Sequence, residues 1–255
     1  MLDIITARIK QGHRTIKYPR KPPALPDRFR GLPVINQACV DSTCVAAVSV
    51  CPVEALACEA GKLTLDIGRC LFCGECEQVC PKGAITFSRE YRLAARERQV
   101  LVMGAGEPAL KAALDQKMRK LFGRSLKLRQ VSAGGCNACE ADCNVLGTVV
   151  FDLGRFGIQF VASPRHADGL LITGPVTKNM ELALKKTYAA VPDPKLVIAV
   201  GACAISGGPY IDQPETCNGA SSAVPVDVYI PGCPPHPMTI LDGLLRALGR
   251  VKDEG

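Results

Sequence analysis

The sequence predicts an α/β protein in two parts: a small α+β part, then a doubly wound parallel-sheet part. Three observations predict it. From residue 126 onward, short apolar runs alternate with helical stretches, the pattern of a mostly parallel sheet covered on both faces. Before residue 104, cysteines fall in tight clusters with short apolar segments between them. The 255 residues include 14 cysteines, no tryptophan and only 5% aromatics, a composition that suits a compact aliphatic core of one large or two smaller domains.

Taken in order, Leu2–Gln11 reads as a short amphipathic helix with Leu2, Ile5 and Ile9 on one face and Gly12 as its stop. Residues 18–33 hold five prolines among basic residues and read as an extended arm. Only one short helix precedes this arm, so it is expected to clamp onto a partner subunit. Residues 1–33 are thus helix and arm, 34–103 the first folded part and 104–255 the second.

Residues 68–88 carry the sharpest local motif, Cys70-x2-Cys73-x2-Cys76-x3-Cys80-Pro81. This is the bacterial ferredoxin run, in which three cysteines wrap one corner of a cubane and the fourth turns to a second cluster. A damaged copy lies upstream as Cys39, Cys44 and Cys51-Pro52, and both copies end in Cys-Pro-x-x-Ala, which marks an internal duplication. The swapped arrangement completes Cys70, Cys73 and Cys76 with Cys51. The other set has Cys39, Cys44 and Cys80 and lacks one ligand. Asp41, Cys58, a water or nothing fills that gap, so the site would hold a cubane, a three-iron cluster or no cluster. Cys58 itself is expected to be a buried apolar thiol. A short strand is expected at 84–87, helices at 90–99 and 107–122, and a domain boundary at 103–106.

The second part predicts strands at 126–131, 158–162, 169–173, 196–200 and 226–230, and helices at 145–156, 178–190 and 237–248. Cys136 and Cys139 follow the first strand at metal-ligand spacing, and Cys203 and Cys233 each follow a later strand. All four would lie on loops at the carboxyl edge of the sheet, where open α/β folds bind ligands. Four thiolates from three loops make a closed site for zinc or for a [4Fe–4S] cluster, and the upstream run favours iron–sulfur. The fold class is therefore a ferredoxin-like domain followed by a flavodoxin-like doubly wound domain. Cys143 and Cys217 are expected to pack, not to ligate.

The formal charge of +7 does not point to nucleic acid. Each four-thiolate cubane brings a net charge of about −2, and the basic residues are dispersed without the aromatic interleaving of single-strand binders. No run reaches the roughly 20 apolar residues that span a bilayer. The first residues are charged throughout, with neither an apolar run before a cleavage site nor twin arginines. The cysteines are therefore read as metal ligands in a reducing compartment, not as disulfides.

The segments GGCNACE, SPRHADGLLITGPVTKNM, PDPKLVIAVGACAISGG and VPVDVYIPGCPPHP resemble the electron-transfer small subunit of membrane-associated, energy-converting [NiFe] hydrogenases of the formate hydrogenlyase type. They also resemble the respiratory complex I subunit that carries the terminal cluster. The resemblance covers residues 126–248, and residues 1–100 resemble the two-cluster ferredoxin subunit of the same complexes, as if two neighbouring subunits were fused. It implies that Cys136, Cys139, Cys203 and Cys233 hold the proximal [4Fe–4S] cluster. The complex I relative has adjacent cysteines where this chain has Cys-x2-Cys, which favours the hydrogenase branch. The nickel-binding cysteine pairs of a large subunit are absent, so the chain is expected to transfer electrons without itself being catalytic. Partners implied are a [NiFe] hydrogenase-type large subunit and other hydrophilic and membrane subunits, on the cytoplasmic face of the inner membrane. A complex I-like, quinone-linked relay is the alternative, and a zinc-stabilised interaction module is a third reading. Glu140, Arg165 and His166 are expected beside the proximal cluster as hydrogen-bonding or proton-handling groups, with salt-bridged or structural roles as the alternative. His236 is a weaker candidate for the same place.

Overall fold

The computed structural model describes residues 2–40, 45–80, 83–104 and 114–251. Helix α1 (Leu2–Gln11) forms as the pattern predicts, but no residue of it is buried. The arm that follows lies on its own chain. Thr15 Oγ1 donates to the Val149 carbonyl, Ile16 N to the Val150 carbonyl, and Arg89 Nη2 holds the carbonyls of Leu25 and Pro26 at 2.7 and 3.1 Å. Tyr18 is buried, and its hydroxyl donates to Asp242 Oδ1 at 2.5 Å. The expected clamp on a partner is thus an internal strap, because the arm's carbonyls find donors on this chain.

The first folded part carries β1 (Pro33–Ile35), α2 (Val45–Ser49), the hairpin β2 (Leu56–Glu59) and β3 (Lys62–Asp66), α3 (Glu75–Val79), β4 (Ile85–Phe87) and β5 (Val102–Met103). Strand β1 pairs antiparallel with β4, and β3 pairs with both β2 and β5. The β2–β3 hairpin separates the two cysteine motifs. Residues 90–99 are not helical. Ala95 instead exchanges two hydrogen bonds with Tyr229 at the edge of the second sheet, and only Arg98–Leu101 makes a 3-10 turn. Pairing with an open strand edge outweighs the helix propensity of this Ala- and Arg-rich segment. Helix α4 (Gln116–Phe122) begins at Asp115, whose side chain caps it by accepting from Met118 N. The earlier portion of the helix expected at 107–122, and the boundary at 103–106 beyond residue 104, lie outside the described residues.

The second part is a five-stranded parallel sheet of β6 (Leu126–Ser132), β7 (Ile158–Phe160), β8 (Gly169–Thr173), β9 (Leu196–Val200) and β10 (Val228–Ile230). Its spatial order is β10-β9-β8-β6-β7. Counted within the sheet this is the flavodoxin order, with the switch point between β6 and β8. Strands β8 and β9 are buried at every residue. Alternate side chains feed two cores: Leu171, Ile198 and Val200 pack under α8 (Pro237–Ala247), while Leu170, Ile172 and Ala199 pack on the other side. That other side also carries α6 (Lys178–Ala190) and is continuous with Leu63, Leu65 and Ile67 of the first part. The two parts that differ in sequence therefore share one core. Helix α5 (Ala138–Val145) starts directly in the Cys136 loop and ends before Gly147, and Leu153–Phe156 is a separate 3-10 turn. The helix expected at 145–156 is thus shifted forward, since the cysteine loop opens straight into a helix that glycine stops. Helix α7 (Ala202–Ser206) completes the set. Among the described residues no helix is long and apolar enough to cross a membrane.

Candidate metal centres

Cys51, Cys70, Cys73 and Cys76 line one small chamber with Val53, Leu56, Leu65 and Phe87. The lining other than the thiols is almost entirely apolar. Backbone amides point at the sulfurs: Ala55 N donates to Cys51 Sγ at 3.2 Å and Phe72 N to Cys70 Sγ at 3.3 Å. Burial pushes the Cys70 thiol up to about 12 and the Cys76 thiol up to about 11. Buried Cys70 and Cys76 are poor anions alone, so a cationic centre that draws off their protons suits this donor set. Cys80, the last cysteine of the run, is not in this chamber. It packs with Ala84, Cys39 and Val40, and Asn36 Nδ2 donates to Cys39 Sγ at 3.2 Å. Cys44 and Asp41 lie outside the described residues. Cys58 packs against the hairpin core and not against Cys39 and Cys80.

Cys136, Cys139, Cys203 and Cys233 gather where β6, β9 and β10 end. Their mutual influence marks the cluster: burial and then Cys203 raise the Cys139 pKa, and burial, Cys233 and Cys136 push Cys203 up to about 12. Two glycines make room. A methyl group on Gly201 would come within 2.5 Å of Cys139 Sγ, and one on Gly208 within 2.8 Å of Cys203 Sγ. Both sit in positive-φ backbone, which only glycine adopts freely. Gly201 and Gly208 both lie in the segment GACAISGG that carries Cys203, but only the structure shows Gly208 pressed against the Cys203 sulfur. Cys136 and Cys233 are exposed while Cys139 and Cys203 are half-buried, so the quartet opens outward on one side. Among the described residues no three His, Cys, Asp or Glu side chains crowd together as single-ion ligands do.

The two quartets are neighbours. Cys233 is raised by burial first, then by Cys136 and by Cys73. A cleft lined by Leu71 and Phe72 of one cysteine loop and by Cys233 and Pro234 of the other joins them.

Glu140 is buried, and its Oε1 accepts from Ser132 Oγ at 2.6 Å and Thr173 Oγ1 at 2.7 Å. These hydroxyls sit at the carboxyl ends of β6 and β8, beside the quartet, and no sequence signal points to them. Arg165 and His166 do not join it. They are exposed on the 3-10 turn that leads into β8, while Glu140 meets the far end of the same strand. Five residues at about 3.3 Å each put roughly 16 Å between them. The motif is contiguous in sequence, but a strand carries its two ends to opposite edges of the sheet. His236 caps α8, with Nδ1 accepting from Met238 N at 3.1 Å, and packs edge-on against Phe29. Cys143 is fully buried in the core under α8, and Cys217 Sγ lies 3.5 Å from Glu181, so both pack as expected.

Residues 63–86 match the 4Fe-4S binding domain, and residues 136–247 match the model of the NADH ubiquinone oxidoreductase 20 kDa subunit. The chain is 44% identical over 132 residues to the probable membrane-bound hydrogenase subunit mbhJ of Pyrococcus furiosus, covering 52% of this chain and 79% of that one. It is 44% identical over 143 residues to formate hydrogenlyase subunit 7 of Escherichia coli, covering 56% of each. It is 47% identical over 120 residues to one of the subunits of the NADH-quinone oxidoreductase of Citrifermentans bemidjiense, covering 47% of this chain and 70% of that one. With its cysteines at the carboxyl edge of a flavodoxin-order sheet, the chain belongs to the family of the NADH ubiquinone oxidoreductase 20 kDa subunit.

Proposed function

We propose that the chain is the iron–sulfur electron-relay subunit of a multi-subunit, membrane-associated [NiFe] hydrogenase of the formate hydrogenlyase type. Cys51, Cys70, Cys73 and Cys76 hold one [4Fe–4S] cluster, and Cys136, Cys139, Cys203 and Cys233 hold another. Cys39, Cys44 and Cys80 form a third, incomplete site. The observation that carries the reading is the adjacency of two thiol quartets in one chain, joined by the cleft that Leu71, Phe72 and Cys233 line.

A [4Fe–4S] group, when bound, supplies one-electron redox chemistry. The chain's own residues fix its place and surroundings. The shared core between hairpin and sheet holds the two quartets at a set spacing. Apolar walls keep water from the first quartet, and amides directed at sulfur favour the thiolate form. The second quartet is open at exposed Cys136, the side toward which a large subunit bearing the catalytic metals would dock. Buried Glu140, held by two hydroxyls, is fixed beside that opening. The chain transfers electrons and does not itself catalyse, and it attaches to the cytoplasmic face of the membrane through partner subunits.

The similarity to the NADH-quinone oxidoreductase of Citrifermentans bemidjiense favours a second reading, the equivalent relay in a quinone-linked enzyme without nickel. Quantifying iron and nickel per copy of this chain in the native complex separates the two. About 8 iron atoms with nickel supports two cubanes in a hydrogenase, and about 12 adds a third. Iron without nickel moves the assignment to the quinone-linked relay. Zinc in place of iron sinks both.

A further inference from the structure

Arg30 stands at the end of the strap, where the chain turns into β1. A methyl group built on Gly74 would meet Arg30 Nε at 2.6 Å and Cζ at 2.9 Å. The guanidinium therefore rests on the backbone of the residue that follows Cys73, and Gly74, at φ +83°, leaves the room for it. Arg30 also lines the cleft that runs from Leu71 and Phe72 to Cys233. It stands, then, at the edge of the first quartet that faces the second.

Its charge is not neutralised locally. Among the described residues no carboxylate forms an ion pair with it. Asp142 lines the same cleft, but burial alone accounts for its raised pKa and no cation pulls it down. The strap fixes Arg30 in this place from both sides. Arg89 holds the carbonyls of Leu25 and Pro26, and Gly31 N and Leu32 N bond to Ser88 and Glu90, just past the end of β4. With both flanks tied down, the backbone of Arg30 is held beside Gly74.

We propose that Arg30 is a potential-setting residue for the Cys51, Cys70, Cys73 and Cys76 centre, holding its reduction potential up on the side that faces Cys233. This rests on the reading of that quartet as a cluster site. Reduction adds one negative charge to a centre already near −2 with its four thiolates, so an unpaired cation at its edge favours the reduced state. Arg30 is exposed, so the effect is screened by salt, with a Debye length of about 8 Å at physiological ionic strength. The strap thereby links a segment outside both cysteine motifs to the ease with which an electron rests on the first centre.

The test is a dithionite titration of the full chain in its native complex, followed by electron paramagnetic resonance. The signal of the first quartet is identified as the one lost in Cys73→Ala. Arg30→Met keeps the aliphatic stem and removes the charge, and Arg30→Lys keeps the charge. The expected result is a shift of that signal to lower potential in Arg30→Met and none in Arg30→Lys, with the gap between Arg30→Met and wild type narrowing as salt rises. An unshifted Arg30→Met, an Arg30→Lys that falls as far, or a gap indifferent to salt each overturns the proposal. A spectrum from which Cys73→Ala removes nothing overturns the cluster reading itself, and the proposal with it.

Discussion

Substituting Gly201 by alanine tests the packing of the second quartet with a single methyl group. Gly201 has φ +91° and ψ 155°, a region populated almost only by glycine, where another residue costs about 1–3 kcal/mol. The added carbon would also stand 2.5 Å from Cys139 Sγ, where ordinary contact begins near 3.4 Å. The sulfur must therefore retreat by roughly 1 Å, beyond the about 0.5 Å tolerance within which a site holds its geometry. It has little room to retreat, because Cys139 sits on the first turn of α5, whose Cys143 and Leu146 are fully buried. The expected outcome is loss of the iron held by this quartet, about four atoms per chain, with the signal of the first quartet intact. A melting temperature lower by a few degrees should accompany it, at about 2–4 °C per kcal/mol for a chain of this size. Cys139 stands apart from the strap and the hairpin, so their hydrogen exchange should be unchanged. A Gly201→Ala protein with full iron and both signals unaltered would refute the claim that the close approach of Gly201 to Cys139 shapes the site.

Three further outcomes follow from other parts of the molecule. Cys51→Ser should cost about four iron atoms and the first-quartet signal, whereas Cys80→Ser should spare that signal, any iron it costs coming from the third site; loss of the signal in Cys80→Ser and not in Cys51→Ser would mean that the cysteines are not exchanged between the two motifs. Arg89→Ala removes the donor that holds the carbonyls of Leu25 and Pro26, a loss of about 1–2 kcal/mol confined to the strap; trypsin should then cut after Arg20 or Arg28 faster than in wild type, and an unchanged digestion rate counts against the strap's anchoring. Asp242, fully buried, has its pKa pushed up to about 6, first by burial. Its folded value exceeds the unfolded one, so its contribution to stability is fully present below about pH 4 and is lost as pH rises through about 6. The melting temperature of wild type relative to Asp242→Asn should therefore rise on going from about pH 8 to about pH 5, by about 1.4 kcal/mol in stability terms; a flat difference would remove Asp242 as the titrating group.

The parallel sheet was legible because its strands are buried on both faces and so read as unbroken apolar runs. Gly169–Thr173 and Leu196–Val200 coincide with the runs that predicted them. The two quartets were legible for a different reason: cysteine spacing reflects how ligands reach round one centre, and it survives ignorance of the fold between them. The β2–β3 hairpin was not legible. Its turn is Ala60-Gly61 with both φ values positive, +49° and +73°, the geometry for which Asn-Gly or Asp-Gly would be the visible sign. Residues 90–99 read as helix from their own propensities, and only the open edge of β10, supplied by a strand more than a hundred residues later, makes them extended. Arg165 and His166 were misplaced because proximity along a motif says nothing about which end of a strand a residue occupies.

The least legible feature bears most on function. Sequence divides the chain near residue 104 into two parts with separate motifs, and separate motifs suggest separate bodies joined by a hinge. The side chains say otherwise. Leu63, Leu65 and Ile67 of the hairpin share one buried cluster with Val131, Ile172 and Ala199 of the sheet, and Ala95 closes the β10 edge by pairing with Tyr229. Buried area of this kind resists shearing, because sliding one part over the other would expose close-packed side chains on both. An electron relay depends on fixed separation between its centres. A hinge between the quartets would let that separation vary, and the shared core prevents it. The hairpin, the segment around Ala95 and the strap hold none of the eight quartet cysteines, and Cys58 of the hairpin only packs on the core, yet they set the distance between Cys73 and Cys233. Substitutions there should alter electron transfer between the quartets while leaving the iron content of each untouched.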